Sequence, residues 1–266
     1  MDRTSKYRRI VIKAGSNVLT RDDGRPDTTR ISSLVDQIAR LHRAGIEVIL
    51  VSSGAVASGR SVLEQRTGRI DTVSARQLFS AVGQVKLLNR YYDLFNEYGI
   101  VCGQVLTTKE SLSTRRQYLN QRNCMEVMLA NGVIPIVNEN DTVSVAEFGI
   151  GDNDTLSAIV ATSVHADLLV LLSDIDGLYT ADPHKNPDAA RIELVPEITE
   201  EILRLADGKG SELGTGGMKT KLSAAQIVTK AGTDMIIANG AEVEKLYALL
   251  DGKSIGTRFL GKKADI

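Results

Sequence analysis

Two segments combine glycines with lysines in the way phosphate chemistry requires. Near the start runs Lys13-Ala14-Gly15-Ser16-Asn17, and far along the chain runs Gly214-Thr215-Gly216-Gly217-Met218-Lys219-Thr220-Lys221. A glycine turn lets backbone N–H groups approach phosphate oxygens, and an ammonium offsets the charge that develops on a phosphoryl group in transit. Four polar turns lie between them: Ser52-Ser53-Gly54-Ala55, Asn138-Glu139-Asn140-Asp141, Gly151-Asp152-Asn153-Asp154 and Ser173-Asp174. Neither GxxxxGK[ST] nor GxGxxG occurs, so the two best-known nucleotide-binding signatures are absent.

Each of these features also has a plainer reading. Lys13 could be a solvated strand terminator. The Gly-Asp-Asn-Asp turn could simply cap the helix it opens, since Asp and Asn are favoured at that position. The acidic turns lack His and a regular ligand spacing, which argues against a metal caged by protein groups. His42, His165 and His184 share no spacing and read as structural or surface residues. SSGA is not a GxSxG elbow, so triad chemistry is unsupported.

The elements that must position these turns follow a repeated pattern. An amphipathic helix ends at a glycine and a short β-branched strand follows at once, at Gly45, Gly99, Gly132 and Gly232. The four strands are IEVILVSS, IVCGQVL, VIPIVN and TDMIIA, joined by RRIVIKAG at the start and DLLVLLSD in the middle. Alternation from end to end predicts an α/β fold, a mainly parallel sheet covered by helices, with ligands at the carboxyl ends of the strands. Gly68 to Val73, Thr142 to Gly151 and Gly177 to Asp188 interrupt the alternation and read as hairpins or lids. GTRFLGKKADI reads as a charged tail with little to pack.

Composition narrows the class further. With 32 Lys plus Arg against 33 Asp plus Glu there is no basic excess, so nucleic acid is not expected as a partner. No apolar run approaches the roughly 18 residues that span a bilayer, and the polar start runs straight into a strand, so a cytoplasmic protein with no membrane partner is expected. Cys102 and Cys124 read as reduced core residues.

Taken in order, VIKAGSNVLT, VSSGAVASGR, VNENDTVSVAE, GDNDTLSA, LLSDIDGLYTADP and GTGGMKTKL resemble the amino acid kinase family over about residues 8 to 260. Within it the paired NEND and GDND turns resemble the members that phosphorylate free glutamate. The resemblance implies a three-layer αβα sandwich around a mainly parallel, about eight-stranded sheet. It also implies one kinase domain over 6–261, with an amino-acid lobe to about 165 and a nucleotide lobe from about 166. Lys13 and Lys221 would bracket the migrating phosphoryl group, and Asp154 would orient them. Ser53, Gly54, Asp141, Asp152 and Asn153 would bind glutamate. Gly15, Ser173, Asp174 and the run Thr215, Gly216, Gly217, Met218, Lys219, Thr220, Lys221 would join Lys13 in binding ATP, with Gly15 and Gly54 supplying backbone donors.

ATP as co-substrate, Mg2+ on its phosphates, feedback inhibition by proline, a homo-oligomer (dimer or tetramer) and hand-over of the product to glutamyl phosphate reductase are implied in the same way. Many such members carry a further C-terminal PUA domain, and this chain ends where that domain would begin, so a short form is expected. Independently of the resemblance, Asp141 and Asp152 could pair with the α-ammonium of free glutamate, which an N-acetylated acceptor lacks. Another carboxylate or carbamate kinase of the same fold, such as an acetylglutamate kinase, stands as the alternative, as does an amino-acid sensor without turnover.

Overall fold

The computed structural model describes residues 6–63, 68, 70–144, 152–183, 185–206, 217–251, 253 and 255–262. The first half contains β1 (Arg9–Ala14), α1 (Ser16–Leu19), α2 (Thr28–Arg43), β2 (Glu47–Ser52), α3 (Ala55–Leu63), α4 (Thr72–Asn96), β3 (Cys102–Thr107), α5 (Lys109–Ser113), α6 (Arg115–Ala130) and β4 (Ile134–Glu139). The second contains α7 (Asn153–Ser163), β5 (Leu168–Ser173), β6 (Leu178–Tyr179), β7 (Arg191–Ile192), β8 (Leu194–Val195), α8 (Glu200–Arg204), α9 (Met218–Lys230), β9 (Asp234–Asn239) and β10 (Gly256–Phe259), with a 3-10 stretch at Gly240–Asp251.

Eight strands form one sheet in the order β3-β4-β2-β1-β5-β9-β10-β8, and β6 with β7 forms a separate antiparallel hairpin. Only the β9–β10 pairing in the large sheet is antiparallel. Strands β1, β2, β4, β5 and β9 are buried along nearly their whole length, as expected of Val, Ile and Leu runs covered on both faces. The core divides by face: Ile10, Ile12, Leu50 and Val170 pack with α2 and the buried side of α4, while Val11, Ile49, Val51 and Leu171 pack with α7 and α9.

The predicted helix stops are all present. Gly45, Gly99, Gly132 and Gly232 have φ between 67° and 85°, the left-handed conformation that costs a glycine nothing. Each is followed by a backbone N–H that reaches five residues back, Ile46 to Leu41, Ile100 to Phe95, Val133 to Met128 and Thr233 to Val228. That bond closes a helix by satisfying one of its last carbonyls, and it aims the chain directly into the next strand.

Three sequence expectations are corrected. Thr72 and Val73 belong to α4, because the Asp71 carboxylate accepts from the N–H groups of Val73 and Ser74 and starts the helix earlier. The supposed tail contains β10, where Phe259 is fully buried and Gly256 lies so near β9 that a Cβ would meet the Ile237 carbonyl at 1.9 Å. Cys124 is exposed on the outer face of α6, whereas Cys102 is half-buried and burial pushes its thiol up to about 11.

Helices α3 and α4 cross at two glycines. A Cβ on Gly83 would stand 1.8 Å from the Ala55 carbonyl oxygen, and one on Gly59 would stand 1.8 Å from that of Phe79. Gly83→Ala should therefore force the helices apart, costing about 3 kcal/mol and lowering the melting midpoint by about 8 °C. A melting curve matching that of the parent chain would show that the crossing is not tight.

Candidate active site

The carboxyl ends of β1, β2, β4, β5 and β9 open on one edge of the sheet. β1 has β2 on one side and β5 on the other, so the chain reverses its direction of travel across the sheet there, which is where open α/β sheets gather ligands. Lys13 is the penultimate residue of β1, Asp154 lies in the first turn of α7, and Lys221 lies in the first turns of α9. Strand pairing and the packing of α7 on α9 bring these three distant residues together.

Lys13 Nζ is 2.7 Å from Asp154 Oδ1, and Lys221 Nζ is 3.2 Å from Asp154 Oδ2, which also accepts from Thr220 Oγ1 at 2.9 Å. Asp154 is wholly buried, and Lys13 and Lys221 are only 7% and 3% exposed. Burial alone would raise the Asp154 carboxyl, but the ammonium groups of Lys13 and Lys221, with hydrogen bonds from Lys13 and Thr220, more than reverse this and hold it below the usual carboxylate range. One buried carboxylate is thus shared by two buried amines, which holds both side chains at the carboxyl ends of the strands.

The neighbouring turns adjoin this trio. Ser173 Oγ donates to Asp174 Oδ1, and Asn17 Nδ2 donates to Asp174 Oδ2 at 3.1 Å, tying the turn after β1 to the turn after β5. Burial works against ionisation of Asp174, but those two hydrogen bonds and the nearby Lys221 prevail and lower its carboxyl. Gly15 does not offer its N–H outward, as expected from sequence, because that N–H donates to the Leu172 carbonyl. Its lack of a side chain matters instead, since a Cβ there would stand 3.2 Å from Lys13 Nζ. Gly217 begins α9 with no side chain capping its N–H groups, leaving a helix N-terminus of the kind that attracts anions. Met218 and Thr220 are half-buried there and Lys219 is exposed. Thr215 and Gly216 lie outside the described residues, as do Gly151 and His184.

A second cluster faces it from the β2 and β4 ends. Asn153 Nδ2 donates to Ser53 Oγ at 2.7 Å and approaches Asn138 Oδ1 at 3.2 Å, and Asn138 Nδ2 in turn donates to Gln84 Oε1. Gly54 has φ 102°, so the turn after Ser53 requires glycine for its conformation. Asp141 is buried and paired with Arg76, with Nη2 at 2.7 Å. Asp152 acts as the N-cap of α7, its two oxygens accepting from Thr155 N and Thr155 Oγ1. The capping reading therefore holds for Asp152, while Asn153 and Asp154 beyond it reach into the two clusters.

Sequence reasoning missed Arg76, Ser80 and Gln84, whose spacing of four places three polar groups on one face of α4. It also missed buried Tyr91 on the same helix, whose hydroxyl is 2.8 Å from Ser52 Oγ and holds the start of the β2 turn. A cavity of about 140 Å³ beside His42, Glu47 and Ile134 lies at the opposite edge of the strands and includes none of these groups.

Residues 8–239 match the model of the amino acid kinase family, and the chain belongs to that family. It is a phosphotransferase. Among curated relatives it is 52% identical over 257 residues to the glutamate 5-kinase of Bacteroides thetaiotaomicron, covering 96% of this chain and 71% of the relative. It is 48% identical over 258 residues to the glutamate 5-kinase of Clostridium acetobutylicum, covering 97% and 96% of the two chains. The glutamate 5-kinase of Deinococcus radiodurans is 48% identical over 252 residues, 95% of this chain and 69% of that one. Two solved structures share the fold at 19% identity. A carbamate kinase from Giardia lamblia bound to AMP-PNP has a TM-score of 0.70 over 97% of this chain and 100% of its own. An isopentenyl phosphate kinase has a TM-score of 0.64 over 94% and 99%.

Proposed function

We propose that this chain transfers the terminal phosphate of ATP to the γ-carboxylate of L-glutamate, forming L-glutamyl 5-phosphate and ADP at the first step of proline biosynthesis. The observation that carries this reading is the buried Lys13–Asp154–Lys221 trio, two amines held by one carboxylate, set between two clusters of different character. Lys13 and Lys221 neutralise the equatorial oxygens as bonding passes from the leaving to the attacking oxygen, and Asp154 holds both amines in place. The attacking carboxylate is already ionised at neutral pH, so no general base is needed and catalysis is alignment plus charge stabilisation.

ATP would lie over β5 and α9, contacting Lys13, Gly15, Ser173, Asp174 and the run from Thr215 to Lys221. Glutamate would lie over β2 and β4, with Ser53, Gly54 and Asn153 beside it and Asp141, with Asp152 nearby, meeting its ammonium. Mg2+ bound to the β and γ phosphates would draw electron density from the bond that breaks. The carboxylates fit a metal that arrives with the nucleotide: both oxygens of Asp154 face amines or Thr220, whereas Asp174 is exposed.

The same reading includes a single kinase domain over 6–261, a homodimer or homotetramer, inhibition by proline at the glutamate site, a cytoplasmic location and delivery of the labile acyl phosphate to glutamyl phosphate reductase. Among the described residues no helix is long and apolar enough to cross a membrane. The test is ADP release measured with glutamate, N-acetylglutamate, aspartate and carbamate. Glutamate should be preferred by at least about a hundredfold in kcat/KM, the scale set by leaving a buried charged group unmatched. A preference for any other acceptor ends the proposal.

A further inference from the structure

Helix α4 carries a cation to the acceptor cluster that the reaction as described does not use. Its residues Arg76, Ser80 and Gln84 lie on one face, and that face holds the end of β4 and the turn beyond it. Gln84 Oε1 accepts from Asn138, Ser80 Oγ is 3.4 Å from Asp141 Oδ2, and Gln77 on the same helix donates to the Thr142 carbonyl. The glycine crossing at Gly59 and Gly83 fixes α4 against α3, so Arg76 is held at a set distance from the Ser53 turn that opens α3.

The Arg76–Asp141 pair is one-sided. Arg76 Nε and Nη2 lie 3.2 and 2.7 Å from the same oxygen, Asp141 Oδ1, whereas a guanidinium engages a carboxylate best by donating to both oxygens in parallel. The Arg76 side chain is 47% exposed, against 10% for Asp141, so the carboxylate is fixed in the wall and the guanidinium stands at the mouth. Charge balance then becomes decisive. Glutamate brings two carboxylates and one ammonium; the γ-carboxylate is directed toward Lys13 and Lys221, and Asp141 suits the ammonium. The α-carboxylate would be forced next to Asp141 with no counter-charge unless a cation accompanied it.

Resting on the glutamate reading above, we infer that Arg76 is the acceptor-specificity residue: it pairs with the α-carboxylate while Asp141 pairs with the α-ammonium. The guanidinium needs only to pivot from its single-oxygen contact to a two-oxygen fork on the substrate. The exchange leaves the local net charge unchanged, because an Arg–Asp pair and the zwitterionic end of an amino acid are each neutral as units.

The test compares L-glutamate with its α-amide, which retains the γ-carboxylate and the ammonium but has an uncharged group in place of the α-carboxylate. Each is measured as a substrate or, where turnover is slow, as a competitor of glutamate. The parent enzyme should favour glutamate by at least about thirtyfold in kcat/KM, the scale of one charged hydrogen-bond pair. In Arg76→Met the glutamate KM should rise by at least about tenfold with kcat within about threefold, and the α-amide should be handled nearly as before, so that the preference collapses. Arg76→Lys, which retains the charge but not the fork and leaves Asp141 with a partner, should fall between the two; it also serves if Arg76→Met does not fold. Equal losses for both acceptors, or an unchanged preference in both variants, would overturn the inference. An inactive parent enzyme with glutamate would instead overturn the function proposed above.

Discussion

Lys221→Ala is expected to lower turnover by about a thousandfold or more while leaving the glutamate KM within about twofold, the pattern of an interaction made chiefly in the transition state. Lys221 reaches the trio from α9 on the nucleotide side, where it meets Asp154 and lowers the carboxyl of Asp174. The same substitution should not reduce stability much, because Asp154 would retain Lys13 at 2.7 Å as its counter-charge. Turnover and thermal melting measured on one preparation check both halves. A parallel rise of KM with the loss of kcat would mean that Lys221 serves ground-state binding, and a collapse in stability would mean that the trio is a structural brace.

Asp154→Asn should have the opposite thermodynamic sign. The amide retains the shape but withdraws the anion that two buried ammonium groups share, a loss expected to cost about 3–5 kcal/mol and to abolish most activity. ATP should restore part of the lost stability, since its phosphates supply the missing anion. The pH dependence follows from the lowered carboxyl of Asp154. A carboxylate whose native value lies below its unfolded one contributes stability that is complete above the ordinary carboxylate range and is lost only as pH falls through the native value. The parent chain should therefore lose this contribution in acid, below about pH 4, while the Asn variant should show a flatter acid limb. Denaturant melts at several pH values decide the matter, and identical acid limbs would contradict the assignment.

The sequence disclosed the fold where local chemistry determines geometry. Four glycines that must take positive φ marked four helix-to-strand junctions, and buried runs such as LLVLLS need no partner to be legible as central strands. β10 escaped notice because its segment, GTRF, is short and mixed. Its burial comes from antiparallel pairing with β9, and only that pairing explains why Gly256 must be glycine. The site was legible by the same rule. The glycine turns and their lysines announced phosphate, but Lys13, Asp154 and Lys221 are far apart in the chain, and their meeting is a property of strand order and helix packing. Arg76, Ser80 and Gln84 were overlooked because α4 was read for its apolar stripe, although a period of four in its polar residues was there to be found. Asp152 shows the converse, an acidic residue in a promising motif whose two oxygens the backbone N–H and hydroxyl of Thr155 take first.

The place of β1 between β2 and β5 has one further consequence. Apart from the lysines at the migrating phosphate, what is proposed to touch the acceptor comes from one side of that boundary, the ends of β2 and β4 with α4 and the start of α7, and most of what is proposed to touch the nucleotide comes from the other, β5 and α9. Five residue pairs between β1 and β5 join the two halves along the sheet, and the packing of α7 on α9 joins them above it. Swapping side chains on the first side would give such a scaffold a new phosphate recipient while its donor machinery stayed as it was, and that is a physical route by which one architecture could come to serve carbamate, an isoprenoid phosphate or an amino acid.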